Sequence, residues 1–200
     1  SKFQQQIVGV TVSTESGEKV VDQDECPRTD STIEKLINLP PVFQENGTVT
    51  AGNSSVISDG AAAVVMMSLD LCRNLGIEPQ LKWISRGVAG VDPALMGTGP
   101  VPALRKSILS AGLNIDDLDL IELNEAFAAQ SIYCIRELGL DIEKTNVNGS
   151  GISLGHPIGA TGAILVVKLM EEMNTKNYLY GAASLCVGGG QGVSSVFENI

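Results

Sequence analysis

Three side chains in this 200-residue chain have the types and surroundings to do chemistry together: His156, Cys186 and Asn124. His156 is the only histidine, set in Gly155-His156-Pro157. A neutral imidazole accepts a proton near neutral pH, so His156 reads as a base. Cys186 precedes Gly188-Gly189-Gly190-Gln191-Gly192. A thiol gives or takes a proton, or attacks a carbonyl once its thiolate is stabilised. The glycines that follow free backbone N–H groups to point at an oxyanion. Asn124 does not titrate, but it orients a water or a carbonyl oxygen. Taken singly, each has a plainer role: a buried cysteine packs, an asparagine at a helix start caps, and the histidine merely falls within a helix cap. Taken together with the glycine turn, they point to acyl or carbanion chemistry rather than redox or metal chemistry.

The elements around them are legible from periodicity. Ile158, Gly162, Leu165, Leu169 and Met173 recur at helical steps. Pro157 suits a first helical position, which would put His156 at a helix N-terminus, where the dipole lowers its pKa. Gly159 and Gly162 cost helix propensity and suggest close packing or close approach of a ligand. Leu118 to Leu123 reads as a strand ended by Asn124, with a helix from Glu125 to Leu138. Residues 145–148 read as a short strand and Tyr178 to Val187 as a buried strand carrying Cys186; Val193 to Phe197 reads as the last strand. Lys82 to Ala89 is a further strand, and Val101 to Ala111 a helix closed by Gly112. Strands alternating with helices and ending in a hairpin predict an α/β fold with a mixed sheet. Asn124, His156 and Cys186 then fall at strand-to-helix or strand-to-turn junctions, where open α/β sheets gather ligands.

The first part is less regular. A strand is expected near residues 6–13, an acidic turn at Glu15 to Glu18, and a helix capped by Thr32 and ending near Asn38, stopped by Pro40-Pro41. Residues 50–60 form a small-residue loop. Ala61 to Met67 is an apolar run of buried-strand length, followed by a short helix over 69–75 closed by Gly76. Arg28, an isolated cation among acids, suits a surface ion pair or a phosphate contact.

Composition narrows the classes. The hydrophobic fraction is 44%, aromatics are only 4%, and the net charge is −10. That charge disfavours a nucleic-acid surface and leaves any anionic ligand to a local basic pocket. Four separated cysteines without a C-x-x-C, and a single histidine, argue against zinc and against a disulfide framework. Reduced thiols suit a cytoplasmic setting. No apolar run reaches membrane-spanning length, so no membrane partner is expected. The chain opens without methionine, inside a strand pattern, so a truncated N-terminus is expected.

Four motifs in this order resemble the thiolase family, of the acetyl-CoA C-acetyltransferase type. They are Thr50 to Gly60 with its following alanines, Asn124-Glu125-Ala126-Phe127, Gly155-His156-Pro157-Ile158-Gly159-Ala160-Thr161-Gly162, and Cys186-Val187-Gly188-Gly189-Gly190-Gln191-Gly192. Together they span nearly the whole chain. The resemblance implies a layered αβαβα fold of which this is the second half, with a mixed five-stranded sheet. It implies residues 1–57 as the end of a loop domain, 58–79 as the last strand and helix of the N-terminal domain, and 80–200 as the C-terminal domain.

It also implies an acyltransferase that condenses two acetyl-CoA to acetoacetyl-CoA, or cleaves 3-ketoacyl-CoA, through an acyl-cysteine. On that pattern His156 activates the nucleophilic cysteine and contributes to one oxyanion hole, and Asn124 holds the water that completes it. Cys186 is the acid/base for the second substrate, and the Gly188 N–H forms part of the other hole. Ser55 resembles the contact to the pantetheine arm, Ala51 and Phe127 line its tunnel, and Arg28 meets the adenosine end of coenzyme A. Acetyl-CoA, acetoacetyl-CoA and coenzyme A are then the ligands, as substrates, and no cofactor is implied. A homodimer or homotetramer is expected of the intact enzyme.

The family's nucleophilic cysteine lies in a Cys-Ser-Ser or Cys-x-Ser context, and Cys26, Cys72 and Cys134 have no such neighbours. The nucleophile is therefore expected in a first half outside these residues, and this chain alone is expected to be nearly inactive. Two other readings stand beside this one. One is a ketoacyl-synthase-like condensing enzyme, which the single histidine disfavours. The other is a separately encoded subunit or assembly module that needs a first-half partner.

Overall fold

The structure, a computed structural model, describes residues 2–200. Its main sheet is built from β3 (Leu81–Gly90), β4 (Leu120–Leu123), β5 (Tyr180–Val187) and β6 (Gln191–Asn199), in the spatial order β3-β6-β5-β4. The β4–β5 pair is parallel, with Leu123 opposite Ser184, while β5–β6 and β3–β6 are antiparallel. The sheet is therefore mixed, as expected, but its fifth strand shrinks to a single parallel bridge between Ile121 and Thr145. Asn146 accounts for this. It adopts φ 52°, and its side chain bonds the Leu123 N–H and C=O, taking ladder partners that a longer strand would have used.

Helices cover both faces. On one side lie α3 (Pro100–Ala111) and α4 (Ala128–Leu138), whose Val101, Leu104, Ile108, Cys134 and Leu138 pack with Leu123, Ala182 and Val196. On the other side lies α6 (Thr161–Lys176), which sets Leu165, Leu169 and Met173 against Leu120, Ala183 and Phe197. Leu104 and Leu169 are fully buried. Truncating either to alanine would cost about 2–5 kcal/mol. Helices α3 and α4 both end on glycines in the left-handed conformation, Gly112 and Gly139, as the helical pattern anticipates at Gly112.

Two predicted starts are displaced. Helix α4 begins at Ala128, because Phe127 is still extended and bridges to Ser54. Helix α6 begins at Thr161, because residues 157–160 form a turn in which Pro157 O accepts from the Ala160 and Thr161 amides. Ile158 thus lies outside the helix and is exposed. A Cβ at Gly159 or Gly162 would meet nothing among the described residues, so neither is needed here for close packing.

The first part holds an antiparallel hairpin of β1 (Val10–Thr14) and β2 (Gly17–Val21). The acidic turn expected at Glu15 to Glu18 narrows to residues 15–16, and the second strand that follows is nearly all exposed. Helices α1 (Ile33–Ile37) and α2 (Leu69–Leu75) form where expected. Thr32 caps the Lys35 amide of α1, and Ser68 caps the Leu71 amide of α2. The expectation of a buried strand over 61–67 fails. The segment carries no strand assignment, and Val65 and Met66 are 83% and 67% exposed. An apolar run becomes a strand only when a neighbour offers ladder partners, and none of the described strands lies alongside it.

Candidate active site

The site gathers where β4 ends. Asn124 is fully buried, and its N–H donates to Ser184 O at 2.9 Å, continuing the β4–β5 ladder one residue beyond β4. One turn of helix, α5 (Gly151–Leu154), then delivers the Gly155-His156 corner to the same place. Gly151 lies so close that a Cβ on it would sit 2.9 Å from Asn124 Oδ1. Gly155 closes α5 with φ 97° and ψ 163°, a conformation nearly reserved to glycine.

His156 is half-buried and held at three points. Its N–H donates to Val56 O at 3.1 Å. Its Nδ1 lies 2.7 Å from Thr161 Oγ1. The Asn124 amide nitrogen lies 3.4 Å from both ring nitrogens, too distant for a strong bond to either. Thr161 spends its single proton on Pro157 O at 3.0 Å. With that proton on Pro157 O, its oxygen accepts from the ring, the arrangement in which Nδ1 carries the hydrogen and Nε2 keeps its lone pair. Burial lowers the pKa of the imidazole. The direction agrees with the sequence expectation. The cause does not: α6 starts five residues later, so desolvation replaces the helix dipole as the reason.

Cys186 is buried near the end of β5, beside the end of β4. It stands four residues after Ala182, on the side of the pleat that Ala182 gives to the α3–α4 core. Burial pushes its thiol up, and burial also pushes Cys134 up to about 11, with a smaller push from Cys186. Among the described residues no hydrogen bond joins Cys186 to His156. The two share the carboxyl end of the sheet. Gly188 is exposed in the β5–β6 turn.

The loop bearing Ser55 is tied to the same corner. The Ser55 N–H donates to Ala126 O at 2.9 Å, the Ala128 N–H to Asn53 O at 2.9 Å, and the Val56 N–H to Gly151 O at 3.4 Å. Phe127 meets Phe43 edge-on, with ring centroids 5.9 Å apart. Ser55 and Phe127 thus flank the Asn124–His156 pair, while Ala51 and Arg28 lie exposed farther along their loops. Cys26, two residues before Arg28, reaches the corner itself: its Sγ lies 3.1 Å from where a Cβ on Gly155 would stand.

Two parts escaped the sequence reading. Thr161 carried no chemical reading beyond its place in the Gly155 to Gly162 motif. The buried pair Glu122–Lys168, at 2.6 Å, was signalled by an acid inside the apolar run Leu120 to Leu123 and a lysine on the apolar stripe of α6. Among the described residues no cluster of side chains could hold a metal ion. Among the described residues no helix is long and apolar enough to cross a membrane.

A neutral imidazole with one free lone pair, a buried amide and a thiol held protonated, all at one end of a mixed sheet, make a site suited to proton transfer around a carbonyl substrate. The chain belongs to the thiolase family. The model of the thiolase C-terminal domain matches residues 77–199, and that of the thiolase N-terminal domain matches residues 1–70. The chain is 51% identical over 199 residues to the beta-ketothiolase BktB of Cupriavidus necator, covering 99% of this chain and 50% of that one. It is 48% identical over 206 residues to a 3-ketoacyl-CoA thiolase of Bacillus subtilis, covering 98% and 53%. The crystal structure of the Bacillus anthracis acetyl-CoA acetyltransferase superposes with a TM-score of 0.98 at 48% identity, over 100% of this chain and 50% of that one. The human mitochondrial 3-ketoacyl-CoA thiolase gives 0.90 at 40% identity, over 96% and 49%. The chain thus spans about half the length of the relatives it matches.

Proposed function

We propose that these residues form the C-terminal part of a coenzyme A acyltransferase. That enzyme condenses two acetyl-CoA to acetoacetyl-CoA, or cleaves 3-ketoacyl-CoA with coenzyme A. The observation that carries this reading is the Asn124–His156 corner, where Thr161 leaves Nε2 as a free base. His156 Nε2 takes the proton of a cysteine thiol supplied by a first half. The thiolate attacks the keto carbon, and His156 with an Asn124-held water stabilises the oxyanion. The C–C bond breaks, and Cys186 protonates the leaving acetyl-CoA carbanion; coenzyme A then takes the acyl group from the cysteine. Burial keeps Cys186 protonated at rest, which suits it to the acid's part in this direction. Condensation runs the same proton in reverse.

The Gly188 N–H serves the second oxyanion hole. Ser55, Ala51 and Phe127 line the pantetheine path, and Arg28 meets the adenosine phosphates. Residues 1–57 close a loop domain, 58–79 end the N-terminal domain, and 80–200 form the C-terminal domain, in keeping with the matched ranges 77–199 and 1–70. The intact enzyme works as a homo-oligomer in the cytoplasm, with no cofactor beyond its coenzyme A substrates. The four free cysteines suit a reducing compartment.

The test is acetoacetyl-CoA thiolysis by the purified chain, alone and after refolding with the first half of a close relative. Turnover only in the mixture supports the reading. Turnover by the chain alone would move the nucleophile into these residues, with Cys26 at the Gly155 corner the first to replace.

A further inference from the structure

Beneath the Asn124–His156 corner lies a buried ion pair that the proposed chemistry does not use. Lys168 is 5% exposed and Glu122 fully buried, yet Lys168 Nζ sits 2.6 Å from Glu122 Oε2. The same ammonium donates to Gly149 O at 2.6 Å. Burying two charges forfeits hydration that their attraction only partly returns, and apolar residues of similar size often serve stability as well or better. Here Leu165, Leu169 and Met173 already supply an apolar contact along α6. Burial pushes the Glu122 carboxyl up, against the pull of Lys168, and the charges of Glu125 and Glu172 push the same way. Its Oε1 is buried without a protein partner. By packing alone this pair is a poor use of the site.

Its connections give it another role. Glu122 lies two residues before Asn124, on the same face of the extended chain. Gly149 leads into Ser150, whose hydroxyl donates to Leu123 O at 3.1 Å, and then into α5 and the Gly155-His156 corner. Lys168 stands about two turns along α6 from Thr161, which receives the His156 Nδ1 hydrogen. A second tie runs parallel, from the Asn148 amide to Glu172 at 2.7 Å. One ammonium thus holds together the three segments that carry Asn124, His156 and Thr161.

We propose that Lys168 is a positioning residue: acting through Glu122 and Gly149, it sets the distance between Asn124 and the His156 ring and keeps Thr161 on Nδ1. The consequence for catalysis rests on the acyltransferase reading above. The geometric claim does not.

The experiment uses the 200-residue chain and its lone histidine, whose ring nitrogens give a single set of signals in a 15N–13C correlation spectrum. Three variants are compared with the parent: Lys168→Met, the double replacement Glu122→Leu with Lys168→Met, and Thr161→Val. Circular dichroism establishes folding. The expected result is that the two Lys168 variants fold and lose the fixed Nδ1–H pattern, the two ring nitrogens moving toward an averaged shift, as they also do in Thr161→Val. An unchanged imidazole spectrum in a folded Lys168 variant would overturn the proposal. Should Lys168→Met fail to fold, the double replacement, which leaves no charge unpaired, decides. Failure of both to fold would overturn it too, since the pair would then serve the core and not the corner. These signals need no substrate, partner or turnover, so a failure of the acyltransferase reading would leave this result standing, and the reverse.

Discussion

Thr161 Oγ1 lies 2.7 Å from His156 Nδ1 while giving its own proton to Pro157 O at 3.0 Å. That pair of bonds favours the tautomer with the hydrogen on Nδ1 and the lone pair on Nε2. It also makes the tautomer a property of the α6 start, since Thr161 is the first residue of that helix.

Thr161→Val keeps the side-chain shape but removes the acceptor. Nδ1–H is then left half-buried without its partner, and the hydrogen redistributes to Nε2. In the complete enzyme, acylation should slow by roughly ten- to a hundredfold, within the range seen when a group orienting a histidine is lost. The KM for the thioester should stay near its parent value, because the Thr161 hydroxyl is taken up by the His156 ring and Pro157 O. A rise in KM with kcat intact would show that the residue acts in binding instead.

The lowered His156 pKa has a stability consequence of definite sign. Burial holds the folded-state pKa below the ordinary 6.5. The unfolded chain therefore takes up a proton first as the pH falls. The neutral ring's contribution is complete above pH 6.5 and is lost as the pH drops from there through the folded-state pKa. Urea unfolding of the parent chain should shift to lower midpoint between about pH 7 and pH 5. In His156→Gln that part of the slope should vanish, leaving only what the carboxylates contribute. An identical slope in both proteins would mean that the ring titrates normally in the folded chain.

Much of this site was legible because its parts are local. Gly155-His156-Pro157, Asn124 at a strand end and Cys186 before a glycine turn each declare themselves within a few residues. Caps such as Thr32 and Gly76 are equally local and appear where the sequence put them. What stayed hidden depends on distant partners. The 61–67 run has strand composition, but a strand needs a neighbour, which no local pattern can supply. The start of α6 slipped because Pro157 can open either a helix or a turn. The structure chose the turn, with its carbonyl taken by Ala160 and Thr161. Lys168 and Glu122 are 46 residues apart, and each alone reads as a charge on the wrong face.

Gly155→Ala should show how tightly the corner is built. At φ 97° and ψ 163° a side chain strains the backbone by about 1–3 kcal/mol. The added methyl would also meet Ser58 Oγ at 2.5 Å and Cys26 Sγ at 3.1 Å, so either the Ser58 segment or the Cys26 loop must yield. The unfolding midpoint should fall accordingly, and the His156 N–H bond to Val56 O should loosen, read as faster amide exchange at His156. Replacing Gly188, where a Cβ would meet nothing, makes the control: Gly188→Ala should leave both readouts unchanged.

The role proposed for Cys186 separates the two half-reactions. Its thiol is buried, pushed up by that burial, and joined to His156 by no hydrogen bond among the described residues. With no hydrogen bond to His156 among the described residues, the thiol fits the part proposed for it, holding a proton for a carbanion at the strand ends, rather than the activation of the nucleophile proposed for His156. In the complete enzyme Cys186→Ala should therefore form the acyl-enzyme from acetyl-CoA at close to the parent rate. Condensation should fall by roughly 10²–10⁴-fold, the usual weight of one general acid–base group. The acyl-enzyme is counted by mass spectrometry of the trapped protein, and condensation by the appearance of acetoacetyl-CoA. Loss of both steps together would place Cys186 in the acylation machinery, and normal condensation would remove it from the chemistry altogether. The replaced side chain is small and the methyl stays, so a packing defect should cost little and fall equally on both steps. An unequal loss is the signature that only the proton-transfer role produces.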